Sequence, residues 1–155
     1  MSRKNHMLEI KDARIINKNF AGIEKQYNPA GKRTFCVILD NPIEAQKLSE
    51  DGWNIRILKP TDEFPDGGYM LPVEARFGEY PPVIWVRRGG KPIQMDEVTV
   101  GELDRLRFTN AAMLVSGSEW EPGKIKAYLR ELYVDAETND LAEAFFNRGI
   151  NRDNS

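Results

Sequence analysis

From Tyr69 to Phe77 the chain alternates without a break. Tyr69, Leu71, Val73, Ala75 and Phe77 stand against Met70, Pro72, Glu74 and Arg76. Strand side chains point alternately to two faces, so this period makes a half-buried strand. The pattern recurs along the chain, cut at close spacing by Gly/Pro turns, which restricts the fold to a mainly β barrel or sandwich. Met7 to Ile16 is the first expected strand. Leu8 and Ile10 share one face and Ala13 and Ile15 the other, which calls for a bulge or bend near Asp12. Arg33 to Asp40 puts Phe35, Val37 and Leu39 on one face, and Trp53 to Lys59 does the same with Trp53, Ile55 and Ile57. Pro82 to Arg88 runs through a Gly89-Gly90 turn into Lys91 to Gln94. Arg107 to Ser116 and Lys124 to Val134 form a hairpin with a Gly117 to Gly123 connection. Pro72 implies an edge strand or a bulge, because proline cannot donate to a ladder.

Helices are few. Asn41 is an N-cap, Pro42 fits the first helical position and Gly52 stops the helix, giving Pro42 to Asp51 with Ile43, Ala45 and Leu48 buried. Asp96 to Leu103 reads as a short helix. Ala136 to Phe146 reads as an amphipathic one, with Leu141 and Phe145 on one face. A strand-helix-strand start also occurs in α/β folds, but so few helices cannot cover both faces of a parallel sheet. The expected architecture is a small Greek-key barrel with two or three short helices inserted or C-terminal. The 155 residues hold one such domain. Residues 1–6 are expected to be disordered, 7–134 to form the barrel and 135–155 an acidic helix or tail.

Composition narrows the chemistry. One cysteine, Cys36, and one histidine, His6, cannot supply the four ligands of a structural zinc site. A nucleophilic relay would rest on His6, in a polar terminal stretch. No nucleophile elbow, Walker loop or dinucleotide fingerprint is present. Asp62, Glu63 and Asp66 read as a solvated loop, and Asp96-Glu97 as a helix start. A metal-dependent nuclease would need such acids to converge on one pocket. No catalytic residue, metal or cofactor is assigned, and the chain is not expected to be an enzyme. No apolar run reaches the roughly 20 residues of a membrane span. With no signal-peptide pattern and no possible internal disulfide, a soluble cytoplasmic protein is expected.

The net charge of -2 argues at first against a nucleic-acid partner. It conceals an asymmetry: Glu131 to Ser155 carries six acids and two bases, so residues 1–130 carry a net +2. The bases of that body recur beside aromatics. In the last strand Lys124, Lys126, Tyr128 and Arg130 share one face, a row of about 20 Å at ~3.3 Å per residue. Cations that follow phosphates, set around a ring that stacks on bases, suit single-stranded nucleic acid without sequence preference. The alternative is a solvent-facing strand with Tyr128 covering a core edge. The combination recurs at Trp85, Arg87, Arg88 and Lys91, and at Lys25, Tyr27, Lys32, Arg33 and Phe35. Arg56 and Lys59 lie on the polar side of the Trp53 strand, and Trp120 sits in a Gly/Ser/Pro loop. Trp53, beside Ile55 and Ile57, belongs to the core, whereas the Trp85 strand is apolar on both faces and fits either role.

The ordered set Asn19-Phe20-Ala21-Gly22, Tyr27 to Phe35, Asp51 to Ile55, Tyr80-Pro81-Pro82-Val83 and Gly123 to Leu129 carries a resemblance over most of residues 7–134. The chain resembles a family of tailed-phage single-stranded DNA-binding proteins with an oligonucleotide-binding (OB) fold. The resemblance implies a replication or recombination accessory protein that coats transient single strands. It also implies an acidic tail that recruits partner proteins. Asp135 to Glu143 with Phe145-Phe146 matches this in part, since nine further residues follow. The candidate nucleic-acid-binding residues come from the strand faces: Lys25, Tyr27, Lys32, Arg33, Arg56, Trp85, Arg87, Arg88, Lys91, Trp120, Lys124, Lys126, Tyr128 and Arg130. The competing readings are a metal-dependent DNA-processing enzyme and a non-catalytic structural or interaction module.

Overall fold

Asp12 stands in the left-handed region at φ 50° and splits the first alternating segment in two. An aspartate tolerates this conformation better than a β-branched residue would. In the computed structural model, which describes residues 6–138, β1 (His6–Ile10) ends before it and β2 (Arg14–Asn19) follows. This is the bend that the change of inward face requires. β3 (Arg33–Leu39) comes next, then α1 (Pro42–Asp51), β4 (Arg56–Leu58), β5 (Gly68–Ala75), β6 (Val83–Arg87) and β7 (Ile93–Met95). A 3-10 turn (Val100–Arg105) leads into the long hairpin of β8 (Phe108–Glu121) and β9 (Lys124–Ala136).

The protein is mainly β, with a single mixed sheet. Its main path runs β1-β8-β9-β5-β3-β2, with β4 added on β5, β6 on β9 and β7 on β6. β9 pairs in parallel with both β5 and β6, and the other pairings are antiparallel. The path begins and ends on β1 and β2, which are consecutive in the chain but not paired with each other, so the sheet is not closed. Between them Ala13 N–H donates to the Ala111 carbonyl of β8 at 2.7 Å. The inner faces of β3, β5, β8 and β9 meet in one core of Phe35, Val37, Leu71, Val73, Val115, Ile125 and Leu129, closed at one side by Phe20 stacked 5.0 Å from Phe35.

α1 forms where its caps predict. The Asn41 side chain accepts from the Ile43 and Glu44 N–H groups, and Gly52 closes the helix at φ 109°. Its buried face is narrower than the spacing predicts. Ala45 is fully buried and Leu48 half-buried, but Ile43 is 66% exposed because this short helix meets β3 and β5 along one line.

Four other expectations change. The Trp53 segment is not a continuous strand: Trp53 is buried and bridges Ile125, and β4 starts only at Arg56. Ile57 therefore lies outside the core, opposite exposed Tyr69 on the sheet rim. Asp96 does not start a helix. Its carboxylate accepts from the Val98 and Thr99 N–H groups in a local turn, and the 3-10 turn begins at Val100. The last hairpin closes at Pro122-Gly123, and Gly117 to Glu121 pair as strand, so Trp120 is on a strand end rather than in a loop. β5 is interior rather than an edge. Pro72 fits because β4 pairing ends at Met70 and β9 pairing begins at Val73, which leaves Pro72 in the gap between them. Ala136 closes β9, and the rest of the expected C-terminal helix lies outside the described residues. Among the described residues no helix is long and apolar enough to cross a membrane.

Candidate nucleic-acid interface

On β9, Ile125, Ala127 and Leu129 are buried, so Lys124, Lys126 and Tyr128 point to the outer face. The parallel register sets Val73 beside Ala127 and Glu74 beside Tyr128, which brings the outer residues of β5 to the same place. Glu74 is only 7% exposed there. Lys126 Nζ lies 3.0 Å from its Oε1, and Arg76 Nε donates to Oε2 at 3.1 Å. Oε1 accepts no well-aligned hydrogen bond, so the lysine holds it as an ion pair. Burial pushes the Glu74 carboxyl up, but the Lys126 ammonium beside it, with the charge and hydrogen bond of Arg76, outweighs this and holds the group below its ordinary value. Both cations also flank the Tyr128 ring, Arg76 at 5.1 Å and Lys126 at 5.5 Å from its centroid. One buried carboxylate thus holds two cations around one aromatic platform.

A cavity of about 450 Å³ opens beside this group, lined by Lys32, Arg33, Arg76 and Lys126 and by the acids Glu74 and Glu97. The connection from Phe20 to Lys32 builds its far wall. Asn19 clamps Ile23 through both side-chain atoms, Asn28 donates to the Lys32 carbonyl, and Asp104 accepts from the Phe20 and Ala21 N–H groups. A Cβ on Gly22 would lie 3.0 Å from the Gly31 backbone, so that close crossing requires glycine. Arg33 donates to the Phe20 and Glu97 carbonyls and lies 5.6 Å from the Phe77 ring centroid. Part of its charge serves the loop and Lys126 is paired with Glu74, so among the described residues Lys32 is the cavity cation without an acid at ion-pair distance.

On the other side of Arg76 lies a depression of about 360 Å³ lined by Tyr80, Ser116, Ser118, Tyr128 and Arg130. Arg130 sits at a bulge, since Val115 faces Leu129 and Leu114 faces Glu131. It donates to the Tyr80 carbonyl at 3.1 Å.

The structure therefore brings Lys32, Arg33, Lys126, Tyr128 and Arg130 together. It spreads the remaining candidates. Lys25 and Tyr27 are exposed on the same connection but outside the cavity wall. Lys124 lies 5.1 Å from the Trp120 ring centroid and pairs with Glu121 at 3.1 Å, at the hairpin tip. Arg56 stands opposite Met70, at the other end of the β5 outer face. Trp85 is half-buried beside Tyr133, and Arg87 makes two hydrogen bonds to Asp135. Arg88 and Lys91 are exposed around the β6–β7 turn. Reading the strands singly missed Glu74, Arg76 and Tyr80. Glu74 and Arg76 were legible as the polar side of their strand, but their placement against Tyr128 depends on the parallel β5–β9 pairing. Among the described residues no group of three His, Cys, Asp or Glu is arranged to hold a metal ion.

The outer face of this mixed sheet thus sets arginine and lysine around a tyrosine ring. The chain belongs to the family described as "Putative phage ssDNA-binding domain", whose model matches residues 1–150. No curated protein and no solved structure matches it.

Proposed function

We propose that this protein binds single-stranded DNA without sequence preference and protects and organises it during phage replication or recombination, without catalysing a reaction. The observation that carries the reading is the Arg76–Glu74–Lys126 group around Tyr128. The cations supply phosphate contacts and the ring a base platform that accepts any base. Family membership supports single-stranded DNA as the ligand.

An OB-type barrel is part of this reading. Counting β1 with β2 as one bent strand, the long strands run β1/β2, β3, β5, β9, β8 and back to β1. That gives first, second, third, fifth and fourth in chain order, a Greek-key ring whose gap is bridged at Ala13 and Ala111. OB barrels bind oligonucleotides on the second and third strands and the adjoining loops, here β3, β5 and the Phe20 to Lys32 connection. The acidic C-terminal segment, 135–155, serves in this reading as the contact for replication or recombination proteins, in the host cytoplasm.

Fluorescence titration of labelled oligo-dT with the wild type and with Tyr128→Ala and Lys126→Ala tests the assignment. Binding by the wild type that both substitutions weaken is expected. Unchanged binding by two folded variants would remove the face.

A further inference from the structure

We propose that single-stranded DNA, once on the β9 face, continues around the molecule into a second cationic groove between β2 and the start of β8. This rests on the reading above and adds a site to it. The groove has a volume of about 450 Å³, and Arg14, Arg105 and Arg107 line it together with Phe64 and one acid, Glu63.

Its cations are held loosely. Arg14 pairs with Asp40 and Arg107 with Glu137, each at 3.6 Å between largely exposed side chains. Such pairs contribute little in water, so a phosphate can displace the acid. Among the described residues Arg105 has no acid within ion-pair distance. Lys18 also lines the groove, but its ammonium donates to the Leu103 and Leu106 carbonyls and is committed to the 3-10 turn. The Arg14 guanidinium lies 4.6 Å from the Phe64 centroid, which fixes a cation on a ring face.

Continuity with the first face selects the occupant. Asn110 lines this groove and also the neighbouring depression of Trp85, Arg87 and Tyr133. From Tyr133, β9 leads back five positions to Tyr128, about 16 Å at ~3.3 Å per residue. Cations and rings thus run from Lys126 through Tyr128 and Arg130, past Glu131, whose carboxylate accepts from the Tyr133 hydroxyl, to Tyr133 and on to Arg107 and Arg14. A strand that alternates phosphates and bases fits such a track. An acidic peptide would use the cations and leave the rings idle.

The test compares the wild type with Arg105→Ala/Arg107→Ala, two exposed positions, on a short oligo-dT of about 6 nucleotides and a long one of about 24, chosen to straddle OB site sizes. The variant is expected to bind the short strand as the wild type does. It should bind the long strand about tenfold more weakly, with a salt slope reduced by about 1.4. Arg107→Glu should deepen the loss on the long strand alone. Unchanged long-strand affinity and slope would overturn the proposal, and so would an equal loss on both lengths. A glutamate-rich peptide that binds the wild type but not the variant, with long-strand binding intact, would assign the groove to a protein instead. A wild type that binds neither strand fails the functional reading itself, which separates the two claims.

Discussion

Lys126 Nζ lies 3.0 Å from Oε1 of Glu74, a carboxylate that the sheet almost wholly buries on the face assigned to DNA. An acid there opposes phosphate binding, yet it fixes the two cations proposed to bind phosphate. Glu74→Gln separates these roles because it keeps the shape and removes the charge. We expect stability to fall by about 1 kcal/mol, the lower end for charged hydrogen bonds given the solvent exposure of both cations. We expect oligo-dT affinity at low salt to rise, and its salt slope to steepen by up to about 0.7, because one more cation becomes available to phosphate. Denaturant unfolding and titration of the same variant measure both. A fall in affinity would mean that geometry outweighs charge.

The same carboxyl predicts an acid dependence. Its ordinary value is 4.5, and Lys126 and Arg76 hold the native value lower despite burial. A depressed native pKa adds stability that is fully present above 4.5 and lost as pH falls through the native value. The stability difference between wild type and Glu74→Gln should therefore shrink as pH drops from neutral to well below 4.5. A constant difference across that range would contradict the pairing.

Tyr128→Ala should cost about 1–3 kcal/mol of binding to oligo-dT, the value of one base stacked on an aromatic ring. Tyr128→Phe should retain most of it, since the ring and not the hydroxyl supplies the platform. A phenylalanine variant as weak as the alanine one would point to the hydroxyl instead. Titration at fixed salt, with circular dichroism as the check on folding, decides between them.

Gly117 leaves no room for a side chain against the core. A Cβ there would lie 2.5 Å from Ile125 Cγ2, 2.7 Å from His6 Cβ and 2.8 Å from Trp53 Cη2. Gly117→Ala should destabilise the protein by about 1–3 kcal/mol through overpacking. A thermal melt equal to wild type would show that β1 yields at this point.

Cys36 should react slowly. Burial raises its thiol above the ordinary 9.0, outweighing a hydrogen bond with Asn17 and the charge of Arg56. Less thiolate at neutral pH means slower attack on a disulfide reagent. The expected result is a rate well below that of the urea-unfolded chain, followed by absorbance. Equal rates would contradict the burial.

What was legible in the sequence was local. Asn41, Pro42 and Gly52 define α1 because caps act within a few residues. Phe35, Val37 and Leu39 point inward because the strand period is two. Exposure of Ile43 and Ile57 was not legible, since it depends on which element covers them. Nor was the Glu74–Lys126–Arg76 group, because it joins residues about 50 positions apart through a parallel pairing that no local pattern encodes. Lys126 and Tyr128 were visible as one strand face, whereas the acid that organises them was not.

The central claim is preference for single strands. Labelled oligo-dT and a duplex of equal length, titrated at a low and a high salt concentration, test it most directly. Tighter binding to oligo-dT is expected at both salts, falling with a slope of about 0.7 per phosphate contacted. Equal affinity for the two forms, or no binding at low salt, would contradict it.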